Sequence, residues 1–220
     1  GTAVIWICFG MGLCVIANAG TSFLVAFFKN LGITLTQGDV AKPNSIFECI
    51  LDIIGIAIVP AICEEFAMRC CALGLLKNYG KAFGVVSVSV VFGLLHGNVI
   101  QFIFAFLVGL VLAYITIKTE SIIPAMCIHA LNNGMSAVSD TVNYAAGKEV
   151  NVTVGFFAFW LLVGIIATIY LAIKHKLTIP KDDGNCVLTL GEKVSSFFFP
   201  GMILPFIVLI IMTAQTVKIG

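Results

Sequence analysis

Charge is what this sequence has least of. Its 220 residues carry 12 Lys and Arg and 11 Asp and Glu, 10% of the chain, against 60% apolar residues. Soluble domains are about a quarter charged, so an ordinary soluble domain is excluded. Intrinsic disorder is excluded too, because it needs low hydrophobicity and a large net charge. A formal net charge of +1 gives no electrostatic case for nucleic acid as a partner, which would want a clustered basic surface. Arginine is nearly absent: Arg69 stands alone beside 11 Lys, a compositional hint of low-GC bacterial coding. The eight cysteines do not suggest a disulfide framework. Cys8, Cys14, Cys49, Cys63, Cys70, Cys71 and Cys127 fall inside apolar stretches, where a thiol acts as a small hydrophobe; only Cys186 lies in a polar segment. There is no basic start followed by a small-residue cleavage site of the signal-peptide kind. The chain opens on Gly1-Thr2, which leaves room for an earlier segment.

What is there is a series of long apolar runs. Each membrane crossing takes ~20 residues, so the length suits an all-α, polytopic membrane bundle of about seven to eight transmembrane helices. The runs extend over about 3–28, 46–76, 82–96, 99–117, 121–138, 152–173 and 197–217. The longest polar stretch, 174–196, contains Pro180 and the turn-like Asp183-Gly184-Asn185. No repeat and no linker divides the chain, so one integral membrane domain is expected over 1–220, with its motif-bearing core at about 46–138. Small residues four apart, Gly93 with Gly97 and then Ala105, Gly109 and Ala113, favour close helix approach. Alternating crossings put Lys77, Lys81, Lys118, Lys174, Lys176, Lys181 and Lys193 on one face and Lys29, Lys42, Lys148 and Lys218 on the other. The positive-inside rule makes the first face cytoplasmic.

Ionisable groups inside membrane helices are costly and mark functional sites. Glu64, Glu65, Arg69, His96 and His129 stand out, with the amide of Asn133 beside the last. Glu65 and Arg69 are four apart with the acid first, the favourable order for a helical ion pair. Glu64 is rotated ~100° from Glu65 and should point elsewhere. Phe92 with His96, and His129 with Asn133, each share a helix face. At ~1.5 Å per residue, Glu64 lies ~20 Å from Lys77, His96 ~22 Å from Lys81, His129 ~14 Å from Glu120 and Asn133 ~20 Å. Three helices therefore bring polar groups to a similar depth, and a central polar cavity is expected there. Pro60, four residues before Glu64, should kink its helix. Glu48 and Asp52 belong to the interface, His175 to a solvated flank, and Gln101 is an extra polar group.

In this order the residues resemble a family. Glu64-Glu65-Phe-Ala-Met-Arg69 matches E-E-x-x-x-R, Phe92-Gly-Leu-Leu-His96 matches F-x-x-x-H, and His129-Ala-Leu-Asn-Asn133 matches H-x-x-x-N. These are similar to the signature motifs of the CAAX prenyl protease and bacteriocin-processing family of intramembrane proteases, also called CPBP or Abi. The segment Phe106-Leu-Val-Gly109, then Thr119-Glu-Ser121-Ile-Ile-Pro124, is similar to that family's connection between its second and third motifs. The resemblance covers about residues 56–133.

The resemblance implies an intramembrane endopeptidase in the cell membrane. Glu64 would be the general base, and His96 would help it hold and activate a water. His129 and Asn133 would donate to the oxyanion, a role worth ~3 kcal/mol per donor. Glu65, Arg69 and Phe92 would support them. The substrate would be a peptide or protein, membrane-associated or lipidated, met among membrane lipids. No cofactor is expected. Zinc on Glu64, His96 and His129 is the alternative, since His₂Glu sites exist, but no H-E-x-x-H pair is present. Two other classes compete: a non-catalytic immunity or scaffold protein binding a peptide or partner in the same cavity, and a small proton-relay transporter. The transporter would predict internal pseudo-symmetry, which the sequence does not show.

Overall fold

The computed structural model describes residues 2–36, 42–182, 188–196 and 200–219. Its helices are α1 (Thr2–Asn30), α2 (Ile46–Tyr79), α3 (Lys81–Leu94), α4 (Val99–Thr119), α5 (Ile123–Ala146), α6 (Val152–Ile173), α7 (Leu190–Ser196) and α8 (Pro200–Ala214). The fold is all-α apart from two three-residue strands, β1 (Ile33–Leu35) and β2 (Val217–Ile219), paired antiparallel with Thr34 opposite Lys218. Each of the seven apolar runs holds a helix, and α7 is an extra short one inside the polar stretch. Four helices, α1, α2, α4 and α6, are long and apolar enough to cross a membrane. Helix α3, with 14 residues, reaches only ~21 Å, short of a ~30 Å hydrocarbon core. Cys186 and the Asp183-Gly184-Asn185 sequence lie outside the described residues; the seven other cysteines are free thiols.

Helix ends follow local side-chain chemistry. Ser45 accepts the N–H of Glu48, while the Glu48 carboxylate accepts the N–H of Asn44, so Glu48 serves a cap of the capping-box kind. Asn98 accepts the N–H of Gln101 at 2.8 Å and donates to the Gln101 side chain at 2.6 Å. That cap at the start of α4 uses the extra polar group of Gln101.

The main core lies where α1 packs on α4, α5 and α6, with Trp6, Met11, Leu112, Ile115, Ile128 and Leu171 buried together. Gly12 and Gly164 set the closest approach. A Cβ on Gly12 would lie 2.8 Å from the Gly164 Cα, so only glycine fits there. Helices α3 and α4 form a hairpin in which a Cβ on Gly109 would meet the Ser89 Cβ at 3.1 Å. Apolar side chains such as Leu162, Ile166 and Ile169 on α6 are exposed.

Helix α2 positions the acids, and it is not a uniform α-helix. Its backbone widens to π-helix at Ile53–Ile58 and again at Phe66–Ala72. The first π stretch ends just before Pro60, whose ring clashes with the carbonyl four residues earlier in a regular α-helix. A wider turn relieves that clash, so the expected kink takes the form of a π segment. The second begins just after Glu64-Glu65 and contains Arg69. Such bulges in helices are frequent at functional sites.

Candidate active site

The polar residues of α2, the α3–α4 turn and α5 meet around one buried chain of charge. Arg69 and Glu65 have fully buried side chains, with Arg69 Nε 3.1 Å from Glu65 Oε2. Arg69 Nη2 donates to the Gly109 carbonyl at 3.4 Å, and the guanidinium carbon lies 4.7 Å from the centre of the Phe92 ring. A desolvated cation over an aromatic face is worth ~2 kcal/mol, which partly offsets the absence of a hydrogen-bond partner for Nη1. Gly109 thus has two uses: its missing side chain lets α4 approach α3, and its carbonyl receives Arg69 from α2.

Glu65 reaches further than its own helix. Its Oε1 lies 2.8 Å from His129 Nδ1 on α5. An ionised carboxylate only accepts, so the imidazole proton sits on Nδ1 and points at Glu65. The other ring nitrogen, Nε2, faces Glu64 Oε2 across 3.9 Å. Glu64 is 42% exposed at its side chain where Glu65 is 0%. Adjacent carboxylates are therefore divided: one is sealed in the ion pair and clamps His129, the other stands partly open.

His96 lies in the turn after α3, half-buried. Its Nδ1 donates to the Phe92 carbonyl at 2.8 Å, so in the neutral ring Nε2 carries the lone pair. Phe92 is the shared wall, with its ring centre 5.1 Å from that of His96 and 5.9 Å from that of His129. Asn133 is one turn along α5 from His129, but its Nδ2 donates to the Ile56 carbonyl at 3.2 Å. The arrangement thus gathers Arg69, His96 and His129 around the Phe92 ring, sets Glu64 and Glu65 on opposite nitrogens of His129, and directs the Asn133 amide to the backbone of α2.

Two cavities flank this cluster. One of about 720 Å³ runs from the level of Arg69 past Leu73 to Lys77 and Lys81, with Glu120 and Asp182 on its wall. The other, about 430 Å³ and apolar, lies between α5 and α6 and is lined by Leu131, Gly134, Val138 and Phe156 among others. Glu64 and His96 line neither, and the open side of the cluster is at Glu64. Among the described residues, no three His, Cys, Asp or Glu side chains converge to hold a metal ion.

The spacing of the sequence pairs Glu65 only with Arg69 and gives Gly109 only a packing use. Contacts between residues 64 positions apart, as Glu65 and His129 are, leave no periodic signal in a single sequence. The order of the three motifs was the one feature that could have joined them.

Residues 46–135 match the model of one protein family, described as type II CAAX prenyl endopeptidase, Rce1-like. The matched stretch covers under half of the chain, from the start of α2 into α5, and includes every candidate site residue. Comparison with curated proteins and with solved structures gave no match. Over residues 46–135 this chain is therefore similar to the Rce1-like type II CAAX prenyl endopeptidases.

Proposed function

We propose that this protein is a multi-pass intramembrane peptidase that hydrolyses a peptide bond with a water activated by Glu64 and His96. The observation that carries the reading is the division of the adjacent acids. Glu65 is sealed against Arg69 and holds His129 by Nδ1, while Glu64 stays half-open 3.9 Å from the other nitrogen of that ring. A general base must be within reach of the water it deprotonates, and of the two acids only Glu64 is open to one.

In the proposed reaction Glu64 takes a proton from water, and the water oxygen bonds to the substrate carbonyl carbon. Neutral His96, with its proton committed to Phe92, offers its Nε2 lone pair to hold that water. His129 donates from Nε2 to the developing oxyanion, which requires the ring to carry both protons, because Nδ1–H is already spent on Glu65. When the C–N bond breaks, Glu64 returns its proton to the leaving amine. The substrate is proposed to be a peptide segment that is membrane-associated or lipidated. The 430 Å³ apolar cavity beside α5 is a compatible place for an apolar group.

The test is peptide cleavage by the purified protein with Glu64→Gln, which keeps shape but removes the base. Loss of a general base typically lowers the rate ~10²–10⁴-fold, while the folded state should persist. Cleavage at an undiminished rate removes Glu64 from the mechanism. Full biological function without cleavage favours the second reading, an immunity or scaffold protein that binds through the same cluster. Exhaustive chelation should leave cleavage intact; chelator sensitivity reversed by Zn²⁺ would replace the water-holding role of His96 with metal ligation.

A further inference from the structure

Pro60 has no N–H, so the carbonyl four residues before it, that of Ile56, lacks its α-helical donor. In a bilayer an unserved carbonyl is expensive, and polar side chains of neighbouring helices are one means of serving it. Asn133 Nδ2 donates to that carbonyl at 3.2 Å, and the Asn133 side-chain oxygen accepts from Asn132 Nδ2 at 3.3 Å. Beside this contact a Cβ on Gly134 would lie 3.5 Å from the Ala57 Cβ. Helix α5 therefore meets the π segment Ile53–Ile58 at van der Waals distance. On α5 the link is one turn from His129, which precedes Asn133 by four residues, and on α2 it is about two turns from Glu64, which follows Ile56 by eight.

We propose that Asn133 replaces the N–H that Pro60 lacks, pinning the π segment of α2 to α5 so that Glu64 is held in register with His129. Asn133 is then a positioning residue acting through α2. The family resemblance gave it a different task, donation to the oxyanion. The activity arm of this inference rests on the proposed role of Glu64; the stability arm does not.

A double-mutant cycle on the full chain in detergent tests it, comparing Asn133→Ala, Pro60→Ala and the pair by thermal unfolding and cleavage kinetics. Asn133→Ala alone should lower the unfolding midpoint. It should also lower kcat on the order of ten- to a hundredfold, the scale of a displaced catalytic group, with KM little changed. Pro60→Ala returns an N–H to the Ile56 carbonyl, so in that background Asn133→Ala should cost far less in both measurements. Rescue by a residue that touches no substrate is a result that an oxyanion donor would not give. Equal losses in both backgrounds overturn the proposal, and so does a midpoint that is rescued while kcat is not. If Pro60→Ala fails to fold, Pro60→Leu supplies the same N–H in a longer side chain. A fully active Glu64→Gln protein with coupled midpoints would sink the proposed base and leave the link standing; uncoupled midpoints with an inactive Glu64→Gln protein would do the reverse.

Discussion

Glu65 is the residue on which the buried charges meet, since its two carboxylate oxygens lie against Arg69 and His129. The two ways of breaking that junction should therefore differ. Glu65→Gln leaves the Arg69 guanidinium buried without its ion-pair partner, against a neutral amide, the Gly109 carbonyl and the Phe92 ring, and breaking a buried ion pair typically costs ~3–5 kcal/mol. Arg69→Ala leaves Glu65 with His129 still in hydrogen-bond contact, so the loss should be nearer the ~1–3 kcal/mol of one missing partner. Thermal unfolding of the two variants in the same detergent checks the order, and the reverse order would mean that Arg69, not Glu65, is the junction. The identities of these residues were legible in the sequence because charge is so rare there. Their partners were only half legible. The i,i+4 pair followed from helix geometry, while the clamp of Glu65 on His129 depends on how two distant helices pack, which no local spacing encodes.

At the scale of the element, sequence and structure agree best where periodicity is long. Helix α6 has the expected boundaries, and α1 and α4 fall within two residues of theirs. The departures are local backbone events. The π segment at Ile53–Ile58 has a legible cause in Pro60, although its form does not follow from the sequence. The segment at Phe66–Ala72 has no proline or glycine to announce it. The strands β1 and β2 are three residues each, too short for any alternation to register. Helix contacts follow small residues, and the Gly12–Gly164 approach makes the sharpest case. Gly164→Ala would place a Cβ 2.5 Å from the Gly12 Cα, with backbone and not a flexible side chain in the way. Overpacking of this kind costs ~1–3 kcal/mol. The expected outcome is a lower unfolding midpoint with cleavage per folded molecule unchanged, since α1 and α6 carry no candidate site residue. A midpoint equal to that of the unaltered protein would mean that the two helices can separate freely. At the start of α7 the Thr189 N–H and hydroxyl both donate to Glu192, holding its carboxyl below the usual carboxylate range. That cap is present above the ordinary Glu value and is lost as pH falls through the depressed one.

For the whole molecule, the strand pair constrains the path of the chain. In the proposed multi-pass arrangement, α1, α2, α5, α6 and α8 cross in alternation while the α3–α4 hairpin enters and leaves on one side. That path delivers the segment after α1 and the segment after α8 to the same side. Those are the segments that pair: Ile33 lies opposite Ile219, and Leu35 opposite Val217. Thr36 N–H donates to the Thr216 carbonyl at 2.8 Å and extends the contact. Thr216 also accepts, through its hydroxyl, the Val99 N–H at the start of α4, so the turn that carries His96 is tied to the same end of the bundle. Directly opposed residues in an antiparallel pair have Cα atoms ~4.5–5.5 Å apart, within the span a disulfide bridges. Thr34→Cys with Lys218→Cys, in a chain whose native cysteines are replaced by serine, should therefore cross-link on mild oxidation. In sealed vesicles a membrane-impermeant oxidant should form the bond only from the side opposite the lysine-rich face of Lys77, Lys81 and Lys176. A cross-link formed from the lysine-rich side would reverse the orientation. Failure to form under a permeant oxidant would separate the two segments, and with them the alternating path that places the α3–α4 turn and His96 against α8.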